Sequence, residues 1–154
     1  MAVNSANATK ADYGKFFAYQ AMKRAGISTP TTVVYDSQAD LEEVLSQQLD
    51  GLPIIVKRDS GGRGVDVAKC DTLEEVTSAI SAIQGASDYN GMTLLQQFVI
   101  PAEDRDYRVC VIDGEVVYHH GRSLIALKPG EAPWLASRSR GSTILPIERE
   151  VPQE

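Results

Sequence analysis

A chain of 154 residues, 43% hydrophobic and 23% charged, has ordinary globular composition, enough for one domain or two small packed lobes. Its formal net charge of −6 argues against a nucleic-acid partner held through neutralised phosphates, while leaving room for a local cationic pocket. No apolar run approaches a membrane span and the first fifteen residues lack signal-peptide order, so no membrane partner is expected and the expected location is the cytoplasm.

Residues 1–9 are small and polar and read as a disordered leader. From Asp12 to Ala25 the periodicity predicts a helix with Phe17, Ala21, Met22 and Ala25 along one stripe, stopped by Gly26. Thr32 to Tyr35 reads as a short strand. Ser37 and Asp40 resemble a capping box before a helix carrying Leu41, Val44, Leu45 and Leu49 on one face. Gly51 closes that helix and Pro53 opens the strand Ile54 to Lys57. A glycine-rich turn, Ser60 to Gly64, leads into a second strand, Val65 to Lys69. Asp71 or Thr72 caps a third helix with Leu73, Val76, Ile80 and Ile83 inward, and Thr93 to Val99 is another apolar strand.

The order strand, helix, strand, strand, helix, strand predicts an α+β lobe, one antiparallel-capable sheet with helices on one side. Beyond Pro101, Tyr107 to Ile112 and Glu115 to His119 flank Asp113-Gly114, a strong two-residue hairpin signal. Leu124 to Ser142 is irregular. Cys70 and Cys110 sit in strand-like runs and are expected as small buried residues. His119 and His120 are adjacent on a strand, so they face opposite ways and are a poor pair for one metal ion.

A glycine loop beside a lysine suggests phosphate, but Lys57 precedes the glycines and a strand follows them. That excludes a Walker A loop and a dinucleotide fingerprint, both of which lead into a helix. Two readings stay open on this segment: a hairpin lid whose backbone N–H groups meet phosphate oxygens, or a surface lysine beside an ordinary turn. Lys57 shares a face with Ile55, and an ammonium there is costly to bury unless an anion meets it.

Five segments in order then resemble the ATP-grasp superfamily. Lys15 precedes Gly26-Ile27-Ser28-Thr29-Pro30, which is similar to the family's opening lysine and turn. Pro53 to Lys57 is similar to its central lysine strand, and Leu94 to Val99 to its adenine-cupping hinge. Asp106-Tyr107-Arg108-Val109, and Val116-Val117 followed by Arg122, resemble its next stretch. The resemblance runs from about Lys10 to Arg149 and lies nearest ribosomal-protein glutamate ligases, cyanophycin synthetases and glutathione synthetases. It implies the α+β ATP-grasp fold: a lid lobe with its entry helix over residues 10–100 and a partial, antiparallel second lobe over residues 101–154.

The resemblance also implies roles. Lys15 and Lys57 would hold ATP phosphates beneath the loop containing Gly61 and Gly64. Gln97, Phe98 and Val99 would offer hinge backbone groups to adenine, and Asp106 would accept a ribose hydroxyl. Arg108 and Arg122 would serve as catalytic residues facing the phosphates or an acyl-phosphate, where a planar donor fork suits phosphate; each reads otherwise as half of a surface ion pair. The implied partners are ATP, with a small carboxylate and an amine, or a protein C-terminus, as substrates.

Departures are visible as well. Gln97 stands where relatives usually have glutamate, and Asp66 stands beside the lid where many have glycine. The Arg138-Ser139-Arg140-Gly141 segment lacks a family asparagine. The family's Glu-x-Asn pair that holds Mg2+ is missing, Glu148-x-Glu150 is a poor substitute, and the usual N-terminal domain is missing too. The expectation is therefore the ATP-binding segment of a carboxylate–amine ligase without metal ligands of its own, inactive in ligation alone and prone to self-association through exposed apolar surface. A catalytically inactive nucleotide-binding or interaction module of the same ancestry is the rival reading, and a plain α+β module without nucleotide is a third.

Overall fold

The computed structural model describes residues 14–62, 64–89 and 91–146. The leader expected over residues 1–9 lies outside them, as do Glu148 and Glu150. The chain divides into two compact units, Met1–Val99 and Ile100–Glu154. Among the described residues no helix is long and apolar enough to cross a membrane.

In the first unit, α1 (Lys15–Arg24), β1 (Thr32–Val34), α2 (Leu41–Gln48), β2 (Ile54–Arg58), β3 (Val67–Cys70), α3 (Leu73–Gln84) and β4 (Thr93–Gln97) follow the expected order of elements. The four strands form one antiparallel sheet, ordered β1-β4-β2-β3. Alternation along β2 sends Ile54 and Val56 to one face, where they meet Leu45 of α2, Val76 and Ile80 of α3, and Leu95 of β4. The opposite alternation carries Ile55 and Lys57 to the other face.

Several details differ from the expectation, each for a physical reason. The stripe expected on α1 is not the buried one: Phe17 and Met22 are exposed, and Tyr19 is the buried side chain, beside Phe16. The cause is the docking of the helix start, whose Phe16 N–H is held by Asp59 of the β2–β3 loop at 2.8 Å. The Ser37–Asp40 box does not form. Asp40 alone caps α2, accepting from Glu42 N–H at 2.9 Å and Glu43 N–H at 3.2 Å. Replacing Asp40 with alanine is expected to cost about 1 kcal/mol of stability in urea unfolding, the typical value of a carboxylate cap.

For α3 the cap is Thr72, whose hydroxyl accepts from Glu75 N–H at 3.2 Å. The strand β3 starts at Val67 rather than Val65, because Asp66 has a φ of 53° and breaks the extended run. Cys70 is buried as expected, whereas Cys110 is exposed.

In the second unit, β5 (Arg105–Ile112), β6 (Glu115–Ser123) and β7 (Ile144–Leu145) form a sheet in that order. Asp113 and Gly114 both have positive φ, 53° and 82°, the mirror-image turn that suits a twisted two-residue hairpin. A bulge falls between Cys110 and Val111, and the strand that exposes Cys110 also exposes Val109, Val111 and Ile112. The irregular stretch contains a bridge between Ile125 and Leu135 and a 3-10 turn, Arg138–Arg140. Strand β7 follows a segment too short and too mixed to announce itself.

Candidate functional site

On the face opposite the core, Lys57 donates from Nζ to Gln96 Oε1 at 2.9 Å. Among the described residues no carboxylate lies within ion-pair distance of this ammonium. Burial first and the positive charge of Lys15 second lower its pKa to about 8, with Asp59 opposing in part. Lys57 is thus a half-desolvated cation held by one neutral amide and repelled by a second cation.

Lys15 reaches the same region from the start of α1. Its Nζ donates to the carbonyls of Asp59 and Gly61, both at 2.9 Å. Its pKa is also lowered, chiefly by burial. Gly61 and Gly64 have φ of 89° and 71°, a region L side chains rarely adopt, so the loop backbone there depends on glycine. Lys15, Lys57 and Gly61 are therefore gathered at the root of one hairpin.

The same root carries a clasp that the sequence reading missed. Arg58, buried at 8% exposure, donates from Nη1 to Asp66 at 3.4 Å and to Asp88 at 2.9 Å, and from Nη2 to the Asp88 carbonyl. Asp66 is thus drawn toward Arg58, which offsets part of its charge beside the loop while pairing more closely with Asp88. An arginine ending an apolar strand eight positions before an aspartate was the available signal.

The segment Gln97 to Val99 is only partly open to a ligand. The Gln97 N–H donates to the Thr31 carbonyl at 2.9 Å, and its side-chain amide donates to Asp50 at 2.9 Å. Strand β4 ends at Gln97, so Phe98 and Val99 lie beyond the ladder, with the Lys69 ammonium 5.3 Å from the Phe98 ring centroid.

In the second unit, the register pairs Asp106 with Arg122 and Arg108 with His120, which places all four on one face of the hairpin. Asp106 Oδ2 accepts from Arg108 at 2.7 Å, while Asp106 Oδ1 is buried without a partner. Arg108 is therefore engaged in an ion pair and also approaches the Ala136 carbonyl at 3.5 Å. Arg122 donates from Nε to His120 Nε2 at 3.3 Å, and among the described residues no carboxylate pairs with it. His120 was not expected here; its two-residue spacing from Arg122 on a strand was the signal.

The resemblance implies magnesium, but the described residues do not fit it. No group of three His, Cys, Asp or Glu side chains among them could hold a metal ion. The nearby carboxylates are committed, Asp66 to Arg58 and Asp59 to the Phe16 amide.

The fold is shared with D-alanine--D-alanine ligase from Bacillus anthracis, at a TM-score of 0.63 and 18% identity, covering 89% of this chain and 42% of that one. It is shared also with the Helicobacter pylori enzyme of the same name, at a TM-score of 0.54 and 18% identity, covering 80% of this chain and 40% of that one. The chain belongs to the RimK-like ATP-grasp family, whose domain model matches residues 12–123. Relatives named probable alpha-L-glutamate ligase are 31% identical in Aeromonas salmonicida and 30% identical in Coxiella burnetii. They match 93% and 97% of this chain, which spans 45% and 48% of their lengths.

Proposed function

We propose that this chain supplies the ATP-gripping part of a carboxylate–amine ligase. The observation that carries the reading is the meeting of Lys15 and Lys57, from separate elements, at the root of the glycine hairpin. Burial pushes both ammonium groups toward neutrality, helped at Lys57 by the charge of Lys15 and at Lys15 by that of Arg58, so they are unfavourable neighbours unless an anion joins them. Triphosphate oxygens provide that anion, with Gly61 and Gly64 allowing the loop backbone to approach closely.

The adenine edge would then be met by the hinge backbone. With the Gln97 N–H committed to Thr31, the donor falls to Val99 and the acceptor to a carbonyl of the Gln97–Phe98 stretch. Asp106 Oδ1, buried and unpartnered, suits a ribose hydroxyl. Arg122, and Arg108 if it leaves Asp106, would face the transferring phosphoryl group.

In the ligation itself, a substrate carboxylate oxygen bonds to the γ-phosphorus as its bond to the β–γ bridging oxygen breaks and ADP leaves. The amine nitrogen then bonds to the acyl carbon, inorganic phosphate departs and the nitrogen loses a proton. The names of the relatives favour glutamate as one of the joined substrates.

Calorimetric titration of the chain with ATP and with GTP tests the nucleotide reading. The hinge should favour ATP by at least about tenfold, since guanine exchanges the donor and acceptor roles and leaves a buried group mispaired. Absence of ATP binding overturns the proposal, and equal affinities remove the hinge from it.

A further inference from the structure

We propose that Gln96 is a positioning residue for Lys57, its amide locked by Thr32 and the Pro30 carbonyl so that it aims the lysine ammonium at phosphate. This rests on the reading of Lys57 as a phosphate ligand. It gives a side-chain role to Gln96, which the resemblance places only within the Leu94 to Val99 hinge strand.

Thr32 has a single hydroxyl proton, and it goes to the Pro30 carbonyl at 3.1 Å. Its oxygen can then only accept, and it accepts from Gln96 Nε2 at 2.6 Å. An amide that gives its N–H to Thr32 must turn its carbonyl the other way, where Lys57 Nζ lies at 2.9 Å. The reverse orientation would set an N–H against an ammonium and an oxygen against an acceptor, losing both bonds.

The three side chains lie on adjoining strands of one sheet face. Thr32 stands opposite Gln96, and Gln96 opposite Ile55, two residues before Lys57. Thr32 is buried at 4% exposure, so the anchor is rigid. Among the described residues Gln96 is the hydrogen-bond partner that holds the Lys57 ammonium, and it uses one of three N–H directions. The other two remain for a ligand. The relay also joins the turn ending at Pro30 to the strand leading into the hinge, tying three separate sequence motifs to one ammonium.

The test uses the whole chain and five variants, with ATP affinity from calorimetry and the Lys57 titration followed by NMR without nucleotide. Gln96→Leu should weaken ATP binding about three- to tenfold, the range of one hydrogen bond. It should also move the Lys57 midpoint down, since the charged form loses its acceptor. Gln96→Glu should move that midpoint up. Thr32→Val should follow Gln96→Leu, and Thr32→Ser should retain wild-type behaviour, which separates aiming from a general packing role. If Gln96→Leu does not fold, the Thr32 pair carries the test alone. A Lys57 midpoint unmoved by the folded Gln96 and Thr32 variants overturns the positioning role. ATP affinity unmoved by Lys57→Met overturns the phosphate reading instead, and with it the target of the aiming.

Discussion

Replacing Lys57 with methionine is expected to weaken ATP binding by about 1.5–3 kcal/mol, the scale of a charge-assisted hydrogen bond between an ammonium and phosphate. In dissociation constant that is roughly ten- to 150-fold. Methionine keeps much of the apolar stem, so the fold should change little. Isothermal titration with ATP reads the difference directly, and equal affinities would remove Lys57 from the site.

The same lysine gives the binding a pH signature. Its pKa in the free protein is about 8, below the ordinary 10.5, so anion binding must hold a proton that the free protein begins to release near that pH. Affinity for ATP should be flat below about pH 8 and fall above it, by at most about tenfold per pH unit for one coupled proton. For the free protein the sign is opposite. Between about 8 and 10.5 the unfolded chain binds more protons than the folded one, so stability without nucleotide should rise across that window. The Lys57→Met variant should show neither slope from this group.

Truncating Leu95 to alanine should have the largest effect on stability, about 2–5 kcal/mol, as expected for a fully buried leucine in a core that collapses only partly around the loss. Leu95 has 0% exposure, lies on β4 between Val33 and Val56, and belongs to the cluster that α2 and α3 cover. The next two residues are Gln96 and Gln97, so the same strand carries the core and the site. If the chain grips ATP, nucleotide at a hundredfold excess over its dissociation constant should restore about 2.7 kcal/mol. Urea unfolding with and without ATP measures both quantities. A loss below about 1 kcal/mol would contradict the core assignment, and a full loss with no restoration would contradict nucleotide binding.

The core was legible in the sequence wherever periodicity was unbroken. Val76, Ile80 and Ile83 declare α3, and the Asp113-Gly114 turn declares the β5–β6 hairpin, because both signals are local. Phe17 and Met22 misled because α1 is oriented by Asp59, a residue far away in sequence, and no local pattern encodes that torque. Cys110 misled because a strand-like run was read as a buried one, whereas β5 exposes both of its faces along most of its length.

At the site, the lysines and glycines could be named from order and spacing. Their neutral and ionic partners could not. Gln96 matters through a cross-strand register, and Arg58 through a loop 30 positions away, at Asp88. Spacing along the chain identifies which elements carry charge, but the partners that tune a charge are chosen by register.

The start of α1 has a consequence for the order in which the chain acquires structure. A helix of ten residues is too short to persist alone in water, and this one has no side-chain cap of its own at Gly14. Its first amides instead find their acceptors on Asp59: Phe16 N–H bonds to the carboxylate across 43 positions of sequence, and Lys15 N–H bonds to the carbonyl at 3.3 Å. During synthesis the segment therefore emerges well before the residue that completes it, and it must wait for β2 to pair. The lysine nearest the beginning of the described chain is brought into register only when the sheet closes, so assembly of the two-lysine cradle is a late and cooperative event rather than a local one.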